Sequence, residues 1–160
     1  MTSIYISTAR KPTQNTRILA KALSRLLKAE YENRGKRSMS DIVQRAENLG
    51  CRRLAFIYER HGSPTRIAFY EDGWLPEEIR IKHFEVLKGK RMEGALHIEA
   101  ADKGGEKMQE LLAIESSDID DEMVGAFSEN YLEFTVESVL VLKMKVELRE
   151  IVHEEGSQDK

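Results

Sequence analysis

The chain has 160 residues, of which 41% are hydrophobic and 33% charged, enough for one hydrophobic core or for two small halves that share a core. Its single cysteine, Cys51, excludes an intramolecular disulfide and a cysteine-rich zinc site, and a buried, unreactive thiol is expected there. The sequence shows neither an apolar leader segment nor an apolar run of membrane-spanning length, so a cytoplasmic protein without a membrane partner is expected.

The net charge of −3 conceals an asymmetry along the chain. Residues 1–70 contain 14 Lys and Arg against 5 Asp and Glu, whereas residues 71–160 contain 11 against 23. Such an asymmetry favours a polyanion-binding face beside an acidic remainder. The alternative is that the two kinds of charge mix in space once the chain has folded.

The N-terminal segment predicts a strand over residues 3–7 and a helix over residues 14–28. One face of this helix is predicted to enter the core, and its apolar residues are Ile18, Leu19, Ala22, Leu23, Leu26 and Leu27. The opposite face presents Arg17, Lys21 and Lys28. No acidic residue lies four positions after Arg17 or Lys21, so this cationic stripe is not neutralised within its own helix.

The loop before this helix is rich in hydroxyl, amide and basic side chains. Together with the free backbone N–H groups of a helix start, they suit a phosphate anion. A second basic turn follows at residues 33–37, where Gly35 supplies an unusual backbone angle. No acid–base pair lies among these groups, which favours binding of phosphate over its cleavage.

A second helix and an antiparallel hairpin complete the first half. Ser38 or Ser40 is predicted to cap the helix and Gly50 to end it. Its inward residues are predicted to be Ile42, Val43, Ala46 and Leu49. Residues 54–58 predict a strand covered on both faces, which turns back into a strand over residues 66–70.

Residues 72–76 predict the boundary between the two halves. Trp74 lies there and is either a cover of this junction, the favoured interpretation, or an exposed stacking platform. Beyond it the pattern predicts strands at 79–87, 95–100, 132–136 and 140–148, with a short helix at 106–113. The acidic residues 116–122 predict either a loop or a weak helix ending near Gly125, and residues 154–160 predict a flexible tail.

Signatures of catalysis and of metal binding are missing from the sequence. It has no phosphate-binding glycine loop of the Walker type and no Gly-x-Gly-x-x-Gly after a strand. The histidines lack metal-ligand spacing, and the acids at 118–122 lack the EF-hand spacing, so a solvated loop is favoured over a cation site. Ser7 and Thr8 have no identifiable base. We therefore expect no catalytic residue, no metal and no cofactor.

Four short motifs, in order, resemble the signature of the Brix-domain proteins of ribosome biogenesis. They are Ile-Ser-Thr-Ala-Arg-Lys-Pro-Thr at 6–13 with Thr16-Arg17, Asn-Arg-Gly-Lys at 33–36, Ser-Asp-Ile-Val at 40–43, and Ser-Pro-Thr-Arg-Ile at 63–67. The resemblance covers the first half of the chain, and the second half matches by length and strand pattern. The chain departs from the family pattern at Ala9, at Gln14-Asn15 and at residues 71–74, where Glu-Asp-Gly-Trp replaces Gly-Pro-Thr.

The residues alone predict an α/β or α+β fold with helices on a mixed sheet. The resemblance implies more, namely two related halves that each resemble the anticodon-binding domain of certain tRNA synthetases. It implies a single Brix domain over residues 1–153, with halves at about 1–72 and 75–153, in the short stand-alone form of archaeal members. It also implies a non-enzymatic factor that binds ribosomal RNA or its precursor.

The implied RNA contacts are the polar and basic residues of the two loops and the first helix. They are Arg10, Lys11, Thr13, Arg17, Lys21, Lys28, Asn33, Arg34, Lys36 and Arg37. Because few aromatic residues interleave with these cations, recognition of RNA shape and backbone is expected rather than base stacking. The acidic second half would orient the RNA by repulsion or would bind basic ribosomal proteins.

Two other functions stay open on the sequence. One is an α/β enzyme that uses the same loop for a phosphorylated metabolite. The other is a protein-interaction module that uses its acidic face.

Overall fold

The computed structural model describes residues 4–87, 91–118 and 122–151, which form nine strands and three helices. In chain order they are β1 (Ile4–Thr8), α1 (Gln14–Leu27), β2 (Glu30–Tyr31), α2 (Met39–Asn48), β3 (Arg53–Arg60), β4 (Ser63–Tyr70), β5 (Trp74–Val86), β6 (Leu96–Ala100), α3 (Lys103–Leu111), β7 (Met123–Phe127), β8 (Tyr131–Val136) and β9 (Val139–Glu150). Within these described ranges, no helix has the length and apolar character needed to cross a membrane.

The strands form one mixed sheet in the order β2-β1-β3-β4-β5-β9-β8-β7-β6. β1 is parallel to β2 and β3, β6 is parallel to β7, and the other neighbours are antiparallel. The arrangement β1-β3-β4-β5 therefore recurs as β6-β7-β8-β9, and a helix follows the first strand of each set. The two sets meet where β5 pairs with β9. The predicted fold class, two related halves of mixed sheet with helices, is confirmed.

The predicted division of the chain at residues 72–75 coincides with a tight turn inside the first set of strands. Asp72 and Gly73 have φ angles of 57° and 128°, and they lead β4 directly into the antiparallel β5. Because β5 completes the set that begins with β1, we propose that the halves divide between β5 and β6. The predicted tail at 154–160 lies outside the described residues.

Two buried clusters lie on opposite faces of the sheet. The larger one contains Leu19 and Leu23 of α1 together with Met108 of α3, so these two helices cover the same face. The smaller one joins Ile42 of α2 to Tyr5 of β1 on the other face. The alternation of side chains along β1 supplies both clusters, which explains why all five of its residues are buried.

α1 and α2 begin and end close to the residues that the sequence predicted, but their buried faces differ. Ser38 caps α2 in a reciprocal pair with Asp41. Ile18 and Leu49, both predicted to face the core, are each 39% exposed. In α1 the polar Thr16 is fully buried instead, and its hydroxyl donates a hydrogen bond to Glu59 of β3. A polar core residue is invisible to a search for apolar spacing.

Three predictions for the chain after β4 are corrected. Trp74 is 45% exposed at the start of β5, where its ring meets that of Tyr70 edge-on at 5.4 Å, so it does not form a buried cover. Gly125 lies within β7 and does not end a helix. A Cβ there would come within 2.8 Å of Ile98 Cδ1, so a side chain at this position would displace the end of Ile98. α3 begins earlier than predicted, after the cap Asp102. Residues 3, 88–90 and 119–121 of the predicted elements lie outside the described residues.

Candidate functional site

The predicted site residues follow β1 and β2, whose carboxyl ends lie at one edge of the sheet because both strands run in the same direction. α1 connects β1 to β2 on one face, and α2 connects β2 to β3 on the other. The chain thus leaves the neighbouring parallel strands β1 and β2 on opposite faces of the sheet, the arrangement at which open α/β sheets form ligand crevices. A hydrogen bond from Ser7 Oγ to the carbonyl of Glu32 (2.9 Å) holds the ends of the two strands together.

Glu59, near the end of β3, occupies the N-terminal end of α1. Its Oε2 accepts hydrogen bonds from the Thr13 amide (3.0 Å), the Thr13 hydroxyl (2.9 Å) and the Thr16 hydroxyl (2.6 Å). Burial acts to raise the pKa of Glu59, but these hydrogen bonds and the charge of Arg17 outweigh it and lower the pKa. A carboxylate of the protein therefore binds the N-cap residue Thr13, and binding of phosphate by the first-turn amides of α1 stays a prediction. Thr13 is engaged in this cap, and its contact with RNA stays a prediction.

Asn33 joins the two loops that follow β1 and β2. Its Oδ1 accepts hydrogen bonds from Thr8 Oγ1 (3.4 Å) and from the Tyr31 hydroxyl. Asn33 itself is exposed. Since its side-chain oxygen is bound by the protein, its NH₂ group is the part that can donate to a ligand.

The basic turn at residues 34–37 is held in shape by its own arginines. Arg34 Nε donates to the carbonyl of Arg37 (2.9 Å), and Arg37 Nη1 donates to the carbonyl of Asn33 (3.4 Å). Gly35 has a φ of 58°, which residues with a side chain rarely adopt. Lys36 is exposed at the tip of this turn.

Cations from separate segments lie close to the ends of neighbouring strands. Burial raises the pKa of Tyr31 at the end of β2, and the charge of Arg17 in α1 opposes this shift. Burial likewise raises the pKa of Tyr58 in β3, and the charges of Arg66 and Arg34 oppose it. The structure therefore brings Arg17 near the end of β2 and Arg34 near the end of β3.

One acidic residue beside the basic turn is neutralised within the fold. Glu32 forms a two-pronged ion pair with Arg45 of α2, at 2.8 Å to Nε and 2.9 Å to Nη2. The hydroxyl of Tyr5 donates to the same carboxylate at 2.7 Å. Hydrogen bonding from Arg45, which outweighs burial, lowers the pKa of Glu32 to about 2.

The structure separates Lys28 from the other predicted cations. It follows the last turn of α1 with a φ of 54°, and a helix of 14 residues is about 21 Å long. Lys28 lines a cavity of about 490 Å³ together with Arg52 and Ile114. The other predicted cations are Arg10 and Lys11 in the first loop, Arg17 and Lys21 in α1, and Arg34, Lys36 and Arg37 in the basic turn. Within residues 4–87, 91–118 and 122–151, none of these cations forms an ion pair within 4.0 Å.

Sequence reasoning missed a stacked cation beside this edge of the sheet. The guanidinium carbon of Arg66 in β4 lies 3.9 Å from the ring centre of Tyr58 in β3. Arg66 Nη1 also contacts Glu78 Oε2 at 2.9 Å. The two-residue His61-Gly62 turn alone would place Tyr58 opposite Thr65. The bulge between Tyr58 and Glu59 shifts its partner to Arg66, so the sequence contained no signal of this pair.

The side chains nearest the crevice have structural partners. Besides the bond from Ser7, Thr8 Oγ1 donates to the carbonyl of Ala9 at 3.1 Å. Across the part of the chain that the structure describes, no three or more His, Cys, Asp and Glu side chains are grouped to hold a metal ion. Of the acidic stretch at 118–122, only Asp118 and Glu122 belong to that part.

No protein-family model matches the chain. Among named proteins, a probable Brix domain-containing ribosomal biogenesis protein of Methanothermobacter thermautotrophicus is 32% identical over 114 residues, which span 70% of this chain and 71% of that protein. A protein of the same description from Saccharolobus solfataricus is 36% identical over 89 residues, 55% of this chain and 50% of that protein.

Two solved structures share the fold. The crystal structure of Mil, an archaeal Imp4-like protein, superposes with a TM-score of 0.73 and 27% identity, covering 91% of this chain and 99% of that one. A probable ribosomal biogenesis protein from Aeropyrum pernix K1 superposes with a TM-score of 0.75 over 96% of this chain and 98% of that one. At 17% identity, this second likeness concerns the fold alone.

Proposed function

The chain belongs to the family of Brix domain-containing ribosomal biogenesis proteins, and from that premise we propose that it is a non-enzymatic assembly factor that binds ribosomal RNA or its precursor. The RNA contacts are the exposed cations and amide at the carboxyl edge of β1 and β2. The partner is RNA rather than a small phosphorylated metabolite, because these cations extend over three segments of the chain.

The observation that carries the proposal is the meeting of these segments. Arg10 and Lys11 follow β1, Arg17 lies in the first turn of α1, and the turn containing Lys36 follows β2. Parallel pairing of β1 and β2 places their carboxyl ends side by side. Polyanion binding by several cations releases counterions and supplies most of the affinity, whatever the RNA sequence.

The non-enzymatic role is supported by the hydrogen bonds that the polar groups around the loop make within the protein. The carboxylate of Glu59 caps α1, and the hydroxyl of Ser7 donates to a backbone carbonyl. A carboxylate whose pKa is lowered is a poor general base, because it holds a proton weakly. These groups position the loops, and the cations then hold phosphates.

The salt dependence of RNA binding tests the proposal. If Arg10, Arg17, Lys21, Arg34 and Lys36 contact phosphates of single-stranded RNA, the slope of log K against log salt should be about −3.5, at about −0.7 per contact. The double substitution Arg17→Gln with Lys21→Gln should lower the affinity for most RNAs and flatten the slope by about 1.4.

A core substitution separates binding from folding. Leu23 is 1% exposed, so Leu23→Ala should cost about 2–5 kcal/mol of stability and leave the salt slope unchanged while the protein stays folded. The charge variant should melt near the wild-type temperature, since exposed helix charges contribute little stability. An unchanged slope in that variant, or a loss of binding that follows unfolding alone, would refute the proposal.

A further inference from the structure

Two contacts fix the position of the Arg66 guanidinium. The ring of Tyr58 lies beneath it, 3.9 Å from its central carbon. Glu78 contacts it through Nη1 at 2.9 Å, and the side chain of Glu78 is only 10% exposed. Arg66 keeps 39% of its side chain exposed. A planar cation with one face on a ring and one edge on a carboxylate presents its second face to solvent.

This exposed cation lies on the face of the sheet that carries α2. The register pairs Tyr58 with Arg66, and Arg66 with Arg80 of β5, so all three side chains lie on one face. α1 and α3 cover the other face. α2 packs against Tyr5 of β1 and Leu54 of β3, at the other end of β3 from Tyr58.

Arg66 and Arg80 are directly opposite each other on neighbouring strands. Like charges at directly opposed positions destabilise a sheet unless an anion or a carboxylate lies between them. Glu78 forms an ion pair with Arg66. Arg80 is exposed and lies opposite Glu147 of β9. Glu147 contacts Lys82 and Arg149 and, among the described residues, forms no ion pair with Arg80, so Arg80 is able to bind an RNA phosphate.

The stacked pair also adjoins the proposed RNA edge. Ile57 of β3 pairs with Thr8 at the end of β1, so Tyr58 lies one residue beyond that end. The charge of Arg34 in the basic turn acts on Tyr58 as well. RNA bound by the loops can therefore continue onto this face without crossing α2, which packs near the other end of β3.

We propose that Arg66, held between Tyr58 and Glu78, stacks against an unpaired base of the bound RNA while Arg80 contacts a neighbouring phosphate. The inference rests on the proposed function and specifies its partner as single-stranded RNA. Bases in single strands stack on aromatic rings and on arginine planes, whereas bases of a duplex are inaccessible to such a platform. The guanidinium is already ordered before binding, so little side-chain entropy is lost. Base stacking thus adds to the backbone recognition that the sequence predicted.

The test compares a single-stranded RNA containing 2-aminopurine with the duplex of the same sequence. Arg66→Lys keeps the charge and removes the plane. It should weaken binding of the single strand about five- to tenfold and leave duplex binding unchanged. The 2-aminopurine fluorescence of the saturated complex should also differ from that of the wild-type complex, because the base loses its stacking partner. Arg149→Lys is the matched control on the same face, because Arg149 contacts Glu147. It should behave as wild type.

Two further variants keep the test independent of folding. Tyr58→Phe retains the ring, so the fluorescence of its saturated complex should match the wild type, whereas Tyr58→Leu should change it as Arg66→Lys does. Wild-type fluorescence in the saturated Arg66→Lys complex, or an equal loss of affinity for single strand and duplex, would overturn the stacking inference and leave the proposed function standing. If the wild-type protein bound neither RNA, both proposals would fall together.

Discussion

Arg53, the first residue of β3, donates a hydrogen bond from Nη1 to the carbonyl of Glu110 in α3 at 2.7 Å. The same nitrogen donates to the carbonyl of Leu111 at 3.1 Å, and Nη2 contacts Glu71 at 2.9 Å. The side chain is only 8% exposed. One buried guanidinium therefore joins a strand of the first half to the carboxyl end of the helix in the second, where the helix dipole favours a cation.

We expect Arg53→Met to destabilise the protein by about 2–4 kcal/mol, because two helix-end carbonyls and part of a carboxylate lose their partner. The midpoint of urea unfolding measures this. Arg52 is the matched control, since it contacts the same Glu71 at 3.6 Å but is 59% exposed. Arg52→Met should change stability by no more than about 0.5 kcal/mol. Equal effects of the two substitutions would contradict a specific role for the buried guanidinium.

The ion pair of Glu32 with Arg45 should make stability depend on pH at the acidic end. The pKa of Glu32 is lowered from 4.5 to about 2 in the folded protein, first by hydrogen bonding from Arg45. Its contribution is therefore fully present above the unfolded pKa of 4.5 and is lost as pH falls toward 2. Glu32→Gln should flatten the dependence of the unfolding midpoint on pH in this window.

Glu47→Gln serves as the control for that measurement, because Glu47 is an exposed residue of α2. It should keep the wild-type acid dependence. An acid limb in Glu32→Gln as steep as that of the wild type would show that other carboxylates dominate the loss of stability.

The parts of the fold that depend on neighbours in sequence were predictable. Alternation of Leu132, Phe134 and Val136 predicted β8, and Ser38 was one of two predicted caps of α2. The errors arose where contacts with residues distant in sequence determine the local structure. Gly125 belongs to a strand because it pairs with Ile98 of β6 on one side and with Phe134 of β8 on the other. Ile18 is exposed because α1 turns Thr16 inward.

The residues of the candidate site also fall into a group that the sequence predicted and a group that it did not. Its cations lie in two loops and one helix that follow one another in the chain, so they could be found from the sequence. Glu59 and Arg66 come from a distant hairpin and act through spatial contacts. Their positions depend on the His61-Gly62 turn, with φ angles of 54° and 80°, and on a bulge between Tyr58 and Glu59. No spacing rule for a single segment contains that information.

Lys28 and Lys36 offer a direct comparison between the interface predicted from the sequence and the one that the structure favours. Lys36 lies in the basic turn after β2, whereas Lys28 lies at the far end of α1. With a short single-stranded RNA, Lys36→Gln should flatten the salt slope by about 0.7, since one phosphate contact is lost. Lys28→Gln should leave the slope at its wild-type value, because its charge lies too far from the loops to meet the same oligonucleotide. Both variants should melt like the wild type, as both residues are exposed. If the two substitutions flattened the slope equally, the RNA contacts would instead extend along the whole of α1, as the helical spacing of the cations predicted.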